Sequence, residues 1–359
     1  MTDKAEETTP CIVHVIPYDG IGGVETAAAT VSAGPHAGFT FRKAYVASKH
    51  PAPPRAYVWE PGIGPENNPI AFARTIRHLL RLRPDVLVLS LWRACIVGLV
   101  VKVLRPRTRL VLFLHNIHNS NWIDAALTRM TARRAAAIWA DSASTASLRL
   151  GEAFKGRARP ISFLTTRIER VAEPAPAPTF ITWGRLHPRK RIELAIEFFA
   201  CIHARHPQAR FDIIGPDRGE QAMLEGRVAA LNLQDAVRFL GPADLGAITD
   251  HAARSAFFIQ TSRAEGMGMA VIEAMQFGLV PIVTPVGEIG RYVEDGANGI
   301  WFSTPADTCT RVDALLTDPA AFRAVSDAAA RTWTDRPLYR DEFLAACGEL
   351  ARALGSPRP

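Results

Sequence analysis

The stretch Glu265-Gly-Met-Gly-Met-Ala-Val-Ile-Glu273 contains a glycine-rich turn that runs directly into an apolar helical pattern, with a carboxylate at each end. Residues 255–262, just before it, are apolar and β-branched, which predicts a short buried strand. Residues 269–277 are rich in helix formers and stop at Gly278, a residue type that often follows the end of a helix. The predicted order is strand, glycine-rich turn and helix, which indicates an α/β fold.

The predicted turn suits an anionic ligand. The backbone N–H groups of Gly266, Met267 and Gly268 would lie at the positive end of the helix dipole, where a phosphate binds well. Carboxylates do not hold phosphate, so we expect Glu265 and Glu273 to contact sugar hydroxyls on either side of it. The alternative interpretation is a pair of solvated helix charges, which is the usual state of an exposed glutamate.

The segment Glu173-Pro-Ala-Pro-Ala-Pro-Thr179 divides the chain nearly in half, because it can continue neither a helix nor a central strand. On both sides of it, short apolar runs alternate with amphipathic stretches. The predicted strands are 11–16, 86–90, 110–114 and 136–140 in the first half, and 180–183, 210–214, 237–240, 256–260 and 280–284 in the second. Such alternation predicts parallel sheets with ligands at the carboxyl ends of the strands, and two series predict two Rossmann-like domains, 1–173 and 174–338, which face a central cleft.

Composition and charge exclude several classes of protein. Of the 359 residues 48% are hydrophobic and 21% charged, which is typical of a globular protein, and the apolar run 94–101 is too short to span a bilayer. The five cysteines are scattered without C-x2-C spacing, so no disulfide framework or zinc site is expected.

The first half of the chain is basic. Up to Glu173 it has 23 Lys and Arg against 13 Asp and Glu, which favours an anionic partner for this half. Motifs for nucleic-acid binding are lacking, so an anionic membrane surface is the better candidate.

A second glycine turn, Pro17-Tyr-Asp-Gly-Ile-Gly-Gly-Val-Glu25, follows the first predicted strand. Here Gly22 and Gly23 would let a ligand approach the backbone closely. A dinucleotide fingerprint is disfavoured because Glu25 stands where its third glycine belongs, and no acidic residue ends the next strand. A plain structural turn remains an alternative.

Two polar elements and one glycine also follow predicted strands. Arg185 and Lys190 come after the strand 180–183. There the rigid guanidinium of Arg185 and the mobile ammonium of Lys190 could neutralise a diphosphate. His115 follows the run 110–114 and is either a core residue or a hydrogen-bond donor to a sugar. Gly215 follows the strand 210–214.

Together these motifs resemble the retaining glycosyltransferases of family four, which have the two-domain GT-B fold. The E-x7-E pair of residues 265–273 and the G-R-x4-K element of residues 184–190 are similar to the motifs of that family. The resemblance covers nearly the whole chain, densely over residues 180–302 and sparsely over residues 32–84. One departure is Glu288, which stands after Gly287 where family members commonly have a second glycine.

The resemblance implies roles for the site residues. Glu265 would contact the transferred sugar, Glu273 the ribose, and Arg185 and Lys190 the diphosphate. His115 would join Arg185, Lys190 and Glu265 as a catalytic residue that acts on the donor sugar. The other donor-binding residues would be Gly22, Gly23, Gly215, Gly266, Met267 and Gly268. The C-terminal helix, about 339–354, would cross back to the first domain. Neither a metal nor another cofactor is expected, since no Asp-x-Asp cluster occurs.

The implied activity is transfer of a sugar, with retention of configuration, from a nucleoside-diphosphate sugar to a hydroxyl acceptor on a lipid-linked glycan or polysaccharide. A non-catalytic nucleotide-sugar-binding protein is one alternative, and an epimerase or phosphorylase on the same fold is another. The first ten residues lack the apolar segment of a secretory signal, so a cytoplasmic location is expected.

A peripheral location at the membrane is the more specific expectation. The candidate surface combines arginines of two predicted helices with three apolar side chains: Arg74, Arg77, Arg81, Arg83, Arg129, Arg133, Arg134, Trp122, Ile123 and Met130. A solvated charged face is the alternative.

Overall fold

The computed structural model describes residues 9–20, 23–48, 55–115, 119–154, 156–170 and 174–355. The chain forms two compact units. Unit 1 contains the residues up to Thr165 together with those from Pro337 onward, and unit 2 is Thr166–Arg336. The division lies upstream of the predicted boundary at Glu173, because residues 166–170 are bonded into unit 2. The N–H of Ile168 donates to Gln276 Oε1 over 3.0 Å, and Arg170 forms an ion pair with Asp327 at 2.7 Å.

Unit 1 is built on an eight-stranded sheet with the order β2-β3-β1-β5-β6-β7-β8, in which β4 pairs with β3. All pairs are parallel except β2 with β3. The strands are β1 Cys11–Asp19, β2 Gly34–His36, β3 Phe39–Ser48, β4 Val58–Trp59, β5 Val86–Ser90, β6 Arg109–Leu114, β7 Ala137–Ala140 and β8 Ala158–Pro160. The helices between them are α1 Gly23–Ala29, α2 Pro69–Leu82, α3 Leu91–Leu104, α4 Trp122–Ala132 and α5 Ala143–Leu150.

Unit 2 has a six-stranded, wholly parallel sheet with the order β11-β10-β9-β12-β13-β14. Its strands are β9 Thr179–Trp183, β10 Arg210–Ile214, β11 Val237–Gly241, β12 Phe257–Gln260, β13 Val280–Val283 and β14 Ile300–Trp301. Its helices are α6 Ile192–Arg205, α7 Gln221–Ala230, α8 Leu245–Ala252, α9 Met269–Gln276, α10 Ile289–Tyr292, α11 Pro305–Thr317 and α12 Pro319–Arg331. The prediction of two α/β domains with parallel sheets is confirmed.

The last helix, α13 Tyr339–Gly355, belongs to unit 1. At the start of α13, the N–H of Tyr339 donates a hydrogen bond to the carbonyl of Leu164 over 2.7 Å. The fully buried ring of Phe343 packs against Phe41, Phe113 and Trp139 on the sheet. Burying one such ring contributes about 1.5–3 kcal/mol, so α13 is part of the core of this unit.

The apolar run 94–101 lies within α3, whose inward side chains fill the core between the sheet and α2 and α4. Where the structure describes the chain, it contains no helix that is both long enough and apolar enough to span a bilayer.

Candidate functional site

The glycine-rich turn of unit 2 leads into α9 as predicted. Gly268 has φ +68°, and a Cβ there would lie 2.8 Å from Ile289 and 2.9 Å from the Tyr292 hydroxyl, so only glycine fits without displacement. The first backbone bond of the helix is donated by Val271 to the carbonyl of Gly268. The N–H groups of Met269 and Ala270 therefore precede the helical hydrogen bonds and are available at the positive end of the dipole.

Glu265 and Lys190, predicted to act on different parts of a ligand, form an ion pair with each other. Lys190 Nζ lies 2.9 Å from Glu265 Oε1, and the Ser262 hydroxyl donates to the same oxygen over 2.7 Å. Both side chains remain partly exposed, at 24% for Lys190 and 15% for Glu265. The ion pair keeps the Lys190 ammonium group beside the turn. The second carboxylate oxygen of Glu265 remains available for a hydroxyl group.

Glu273 lies within α9, the helix that follows the turn. Its carboxylate accepts a hydrogen bond of 2.8 Å from Trp183 Nε1. Burial raises the pKa of Glu273, although the hydrogen bond from Trp183 and the charge of Lys190 oppose this rise. Trp183 was not predicted as a site residue. The sequence signal for it is its position as the last residue of β9, immediately before the Gly184-Arg185 loop.

Gly215 brings two strand ends into contact. It has φ +149°, and a Cβ there would lie only 1.8 Å from the carbonyl oxygen of Gly184. Any side chain would push the end of β10 away from the end of β9. Gly215 therefore shapes the loop that follows β9 and carries Arg185.

A pocket opens to solvent at the carboxyl ends of β9 and β12. Its lining includes Trp183, Gly184, Arg185, Lys190, Gln260 and Thr261. Arg185 is exposed, and no described residue forms an ion pair with it. The structure thus brings both predicted cations to the rim of one pocket, beside Glu265.

The loop that contains Gly287 and Glu288 supports the glycine-rich turn from behind. A Cβ at Gly287 would lie 2.1 Å from the carbonyl oxygen of Glu265, and the N–H of Glu288 donates to the carbonyl of Gly266 over 3.0 Å. The Tyr292 hydroxyl donates to the carbonyl of Met267 over 2.6 Å. Burial raises the pKa of Tyr292 well above its usual range, so this donor remains protonated.

The predicted residues of the first half lie in unit 1. Gly22 lies outside the described residues. Gly23 begins α1, and a Cβ there would meet Phe163 at an ordinary 3.7 Å, so the local structure does not require glycine. His115 follows β6 and is 5% exposed. Its Nε2 lies 2.8 Å from the Ser90 hydroxyl, which in turn lies 2.8 Å from His14 Nε2, two partners that the sequence analysis missed.

Metal ligands do not cluster in the described ranges, where no group of three His, Cys, Asp or Glu side chains could hold an ion. The charges at the site are instead those of Arg185, Lys190, Glu265 and Glu273.

Comparison with known proteins identifies the segment that carries this site. Residues 165–333 match the family described as glycosyl transferases group 1. One curated relative is the GDP-mannose:cellobiosyl-diphosphopolyprenol alpha-mannosyltransferase of Komagataeibacter xylinus, 30% identical over 137 residues. Another is the mannosylfructose-phosphate synthase of Agrobacterium fabrum, 30% identical over 155 residues. These matches cover 38% and 41% of this chain but only 35% and 34% of the relatives, so the chain spans about a third of their length.

Solved structures match over nearly the whole chain. The sucrose-phosphate synthase of Thermosynechococcus elongatus superimposes with a TM-score of 0.77 at 18% identity, over 96% of this chain and 99% of that one. The Anabaena protein HepE in complex with UDP and glucose superimposes with a TM-score of 0.74 at 17% identity, over 97% of this chain and 100% of that one. The chain has the GT-B fold, and its residues 165–333 match the glycosyl transferases group 1 family.

Proposed function

We propose that this protein transfers a sugar from a nucleoside-diphosphate sugar to a hydroxyl acceptor with retention of the anomeric configuration. The observation that carries the proposal is the Lys190–Glu265 ion pair beside the turn that begins α9, with Glu273 on the same helix. This arrangement offers a cation and helix N–H groups to a diphosphate, and carboxylate oxygens to the sugar and the ribose.

The chemistry follows from where charge develops. The bond between the anomeric carbon and the phosphate oxygen breaks, the acceptor oxygen bonds to the same face of that carbon, and the acceptor proton moves to the leaving phosphate. Negative charge then grows on the diphosphate, and Arg185, Lys190 and the start of α9 stabilise it by fixed electrostatics. Glu265 positions the sugar and is not required as a nucleophile, since attack on the face from which the phosphate leaves retains the configuration in a single displacement.

Relatives suggest the classes of donor and acceptor. The mannosyltransferase of Komagataeibacter xylinus uses GDP-mannose and a diphosphopolyprenol-linked acceptor by its description, and the HepE structure contains UDP and glucose. We therefore infer a sugar nucleotide as donor and a glycan, lipid-linked or polymeric, as acceptor, with the protein at the cytoplasmic side of the membrane.

Incubation with a set of UDP- and GDP-sugars tests the proposal most directly. We expect slow release of the nucleoside diphosphate from one of them without acceptor, and the sugar should be released with its original anomeric configuration, as followed by proton NMR. Tight nucleotide-sugar binding without any turnover would favour a non-catalytic binding protein. A changed sugar that remains attached to the nucleotide would indicate an epimerase.

Removal of each of the two site carboxylates should weaken the binding of a different set of ligands. Glu273→Ala should weaken binding of both the nucleotide sugar and the free nucleotide, because a ribose contact exists in both. Glu265→Ala should weaken mainly the nucleotide sugar. Isothermal calorimetry measures both, with Glu225→Ala on the exposed side of α7 as the matched control. The reverse pattern would exchange the two assignments.

Activity should be independent of divalent metal ions. The cationic side chains and the start of α9 already supply charge to the diphosphate, so EDTA should leave turnover largely unchanged. A complete loss of turnover that magnesium or manganese restores would contradict this mechanism.

Exposed residues of unit 1 support the proposed membrane surface. The helices α2 and α4 both pack against α3, and the C-terminal ends of α2 and α3 meet where Arg105 donates to the carbonyl of Leu80. At its own end α3 exposes Val103 at 74% and Leu104 at 59%, and Trp122 at the start of α4 is 79% exposed. The exposed apolar end of α3 therefore belongs to a helix whose two neighbours carry exposed arginines, and binding to an anionic membrane needs both features.

Anionic vesicles should therefore bind the protein at low salt. Each basic residue near the surface contributes about 1 kcal/mol, so changing Arg129, Arg133 and Arg134 to Glu should abolish sedimentation with these vesicles. The matched control changes three exposed arginines of unit 2, Arg254, Arg323 and Arg331, to Glu and should retain binding. Equal recovery with neutral and anionic vesicles would show that this face is only solvated.

A further inference from the structure

The carbonyl groups of the glycine-rich turn in unit 2 are each held by a donor. The N–H of Glu288 donates to the carbonyl of Gly266 over 3.0 Å. The Tyr292 hydroxyl donates its single proton to the carbonyl of Met267 at 2.6 Å, since the carbonyl of Gly268 lies farther away at 3.3 Å. The Gly268 carbonyl instead accepts the first backbone bond of α9. Three consecutive carbonyl groups therefore have fixed directions.

The directions of these carbonyls determine those of three N–H groups. In a planar trans peptide group, the carbonyl and the N–H point in opposite directions. The N–H groups that share a peptide group with these carbonyls are those of Met267, Gly268 and Met269. None of the three donates to a group in the part of the chain that the structure describes. They form a row of donors on the face of the turn opposite Tyr292, and such a row binds anions.

Of these three peptide groups, the one between Met267 and Gly268 can turn over most easily. Turning a peptide group over changes φ of the residue that follows it by about 180°. Gly268 has φ +68°, and glycine also accepts the negative value that would result. The other two groups precede Met267 and Met269, neither of which has a positive φ. Turning either of them over would force a methionine into the unfavourable positive region.

A turned peptide group would spoil the row of donors. The N–H of Gly268 would point into the protein, and the carbonyl oxygen of Met267 would take its place and repel a phosphate. The Tyr292 hydroxyl opposes this rotation, because the Met267 carbonyl accepts from no other group among the described residues. Removing this one hydroxyl should therefore free the peptide group.

Tyr292 is itself held in place. Its ring packs edge-on against that of Trp333, with the centroids 5.1 Å apart. Trp333 Nε1 donates to the sulfur of Met275, a buried residue of α9, over 3.4 Å. Asn298 Nδ2 donates to the Tyr292 carbonyl over 2.9 Å. The hydroxyl therefore has a fixed position relative to the same helix whose first turn it contacts.

We propose that Tyr292 is a positioning residue for the diphosphate of the donor. Its hydroxyl fixes the peptide group between Met267 and Gly268 so that the Gly268 N–H points at a phosphate oxygen. Tyr292 lies behind the turn and acts on the ligand only through this peptide group. The identity of the anion rests on the proposed function, whereas the orientation of the peptide group does not.

A single NMR signal reports on this peptide group. The dipeptide Met-Gly occurs once in the chain, at residues 267–268. Labelling methionine with ¹³C at the carbonyl and glycine with ¹⁵N therefore selects one amide. We expect inorganic pyrophosphate to shift the Gly268 amide proton of the parent protein downfield. In Tyr292→Phe the carbonyl signal of Met267 should move upfield, and the Gly268 proton should lose most of its response to pyrophosphate.

Calorimetry with pyrophosphate, UDP and GDP measures the effect on binding. Tyr292→Phe keeps the ring that packs on Trp333, so we expect it to fold and to weaken binding by about tenfold, which corresponds to roughly one hydrogen bond. The matched control is Ser326→Ala, which removes a buried hydroxyl that donates to the carbonyl of Gly278, beyond the other end of α9. This control should bind all three ligands like the parent.

Several outcomes would overturn the positioning role. One is parent-like pyrophosphate affinity in Tyr292→Phe, and another is an equal loss in Ser326→Ala, which would make Tyr292 only a stabilising residue of unit 2. A third is a parent protein whose Gly268 amide responds to none of the three ligands. A parent that binds pyrophosphate through Gly268 but transfers sugar from no donor would contradict the proposed function and leave the role of Tyr292 supported.

Discussion

Arg185→Ala is expected to lower turnover of the nucleoside-diphosphate sugar by about 10²-fold, because one fixed donor to developing charge is typically worth that much. Arg185 is exposed and lies at the rim of the pocket beside Lys190, so its removal should leave the fold of unit 2 intact. The loss should appear in kcat and equally in kcat/KM, since the interaction strengthens as the diphosphate departs. Steady-state kinetics with saturating acceptor measures both constants.

Lys190→Ala should reduce turnover at least as strongly, but for two reasons. It removes a cation from the diphosphate, and it leaves Glu265 with only the Ser262 hydroxyl as a partner. A double-mutant cycle with Glu265→Ala separates these effects, because in the Glu265→Ala background the loss caused by Lys190→Ala contains only the first. Arg189→Ala changes a neighbouring exposed cation in the same loop and should remain at the parent rate. An Arg185→Ala enzyme that transfers sugar at the parent rate would remove Arg185 from the mechanism.

Regular periodicity made much of the fold predictable. The strand β5 has the bounds that its apolar run predicts, and β12 and α9 surround the glycine-rich turn in the expected order. Here the local pattern and the tertiary environment favour the same structure. α3 was not predicted as a helix because it is apolar on nearly all sides, which removes the 3.6-residue period that marks a surface helix. The two-residue strands β4 and β14 form by pairing with a neighbouring strand, and no short sequence pattern specifies such pairing.

The candidate site was predictable as a set of residues, while its pairings were not. The sequence pattern predicted that Lys190 and Glu265 follow the ends of two strands. Only the sheet order shows that these strands, β9 and β12, are neighbours, and because they are, the two side chains meet. His14 carried a usable signal, since it is a histidine at an inward position of an otherwise apolar strand. Its bond to Ser90 links residues 76 positions apart, and no local pattern reveals such a partner.

Acid should destabilise unit 1 strongly through its buried histidines. The pKa of His14 is lowered by burial to about 3 from an ordinary value of 6.5, and that of His115 is lowered in the same direction. Between those values the unfolded chain binds a proton that the folded chain does not. The free energy of unfolding therefore falls as the pH falls below 6.5, by about 1.4 kcal/mol per pH unit for His14. At about pH 5 His14 alone would cost roughly 2 kcal/mol, a considerable part of the total stability of a typical domain, and His115 adds to the loss in the same direction.

Urea unfolding at about pH 7 and about pH 5, with β1 and β5 followed by hydrogen exchange, measures this loss in unit 1. His14→Gln should be less stable than the parent at neutral pH, yet its stability should depend less on pH than that of the parent, because one of the two titrating groups is gone. His36→Gln, which alters a partly exposed histidine of the same unit, should keep the full pH dependence. If His14→Gln retained the parent's pH dependence, carboxylates elsewhere in the unit would be the cause.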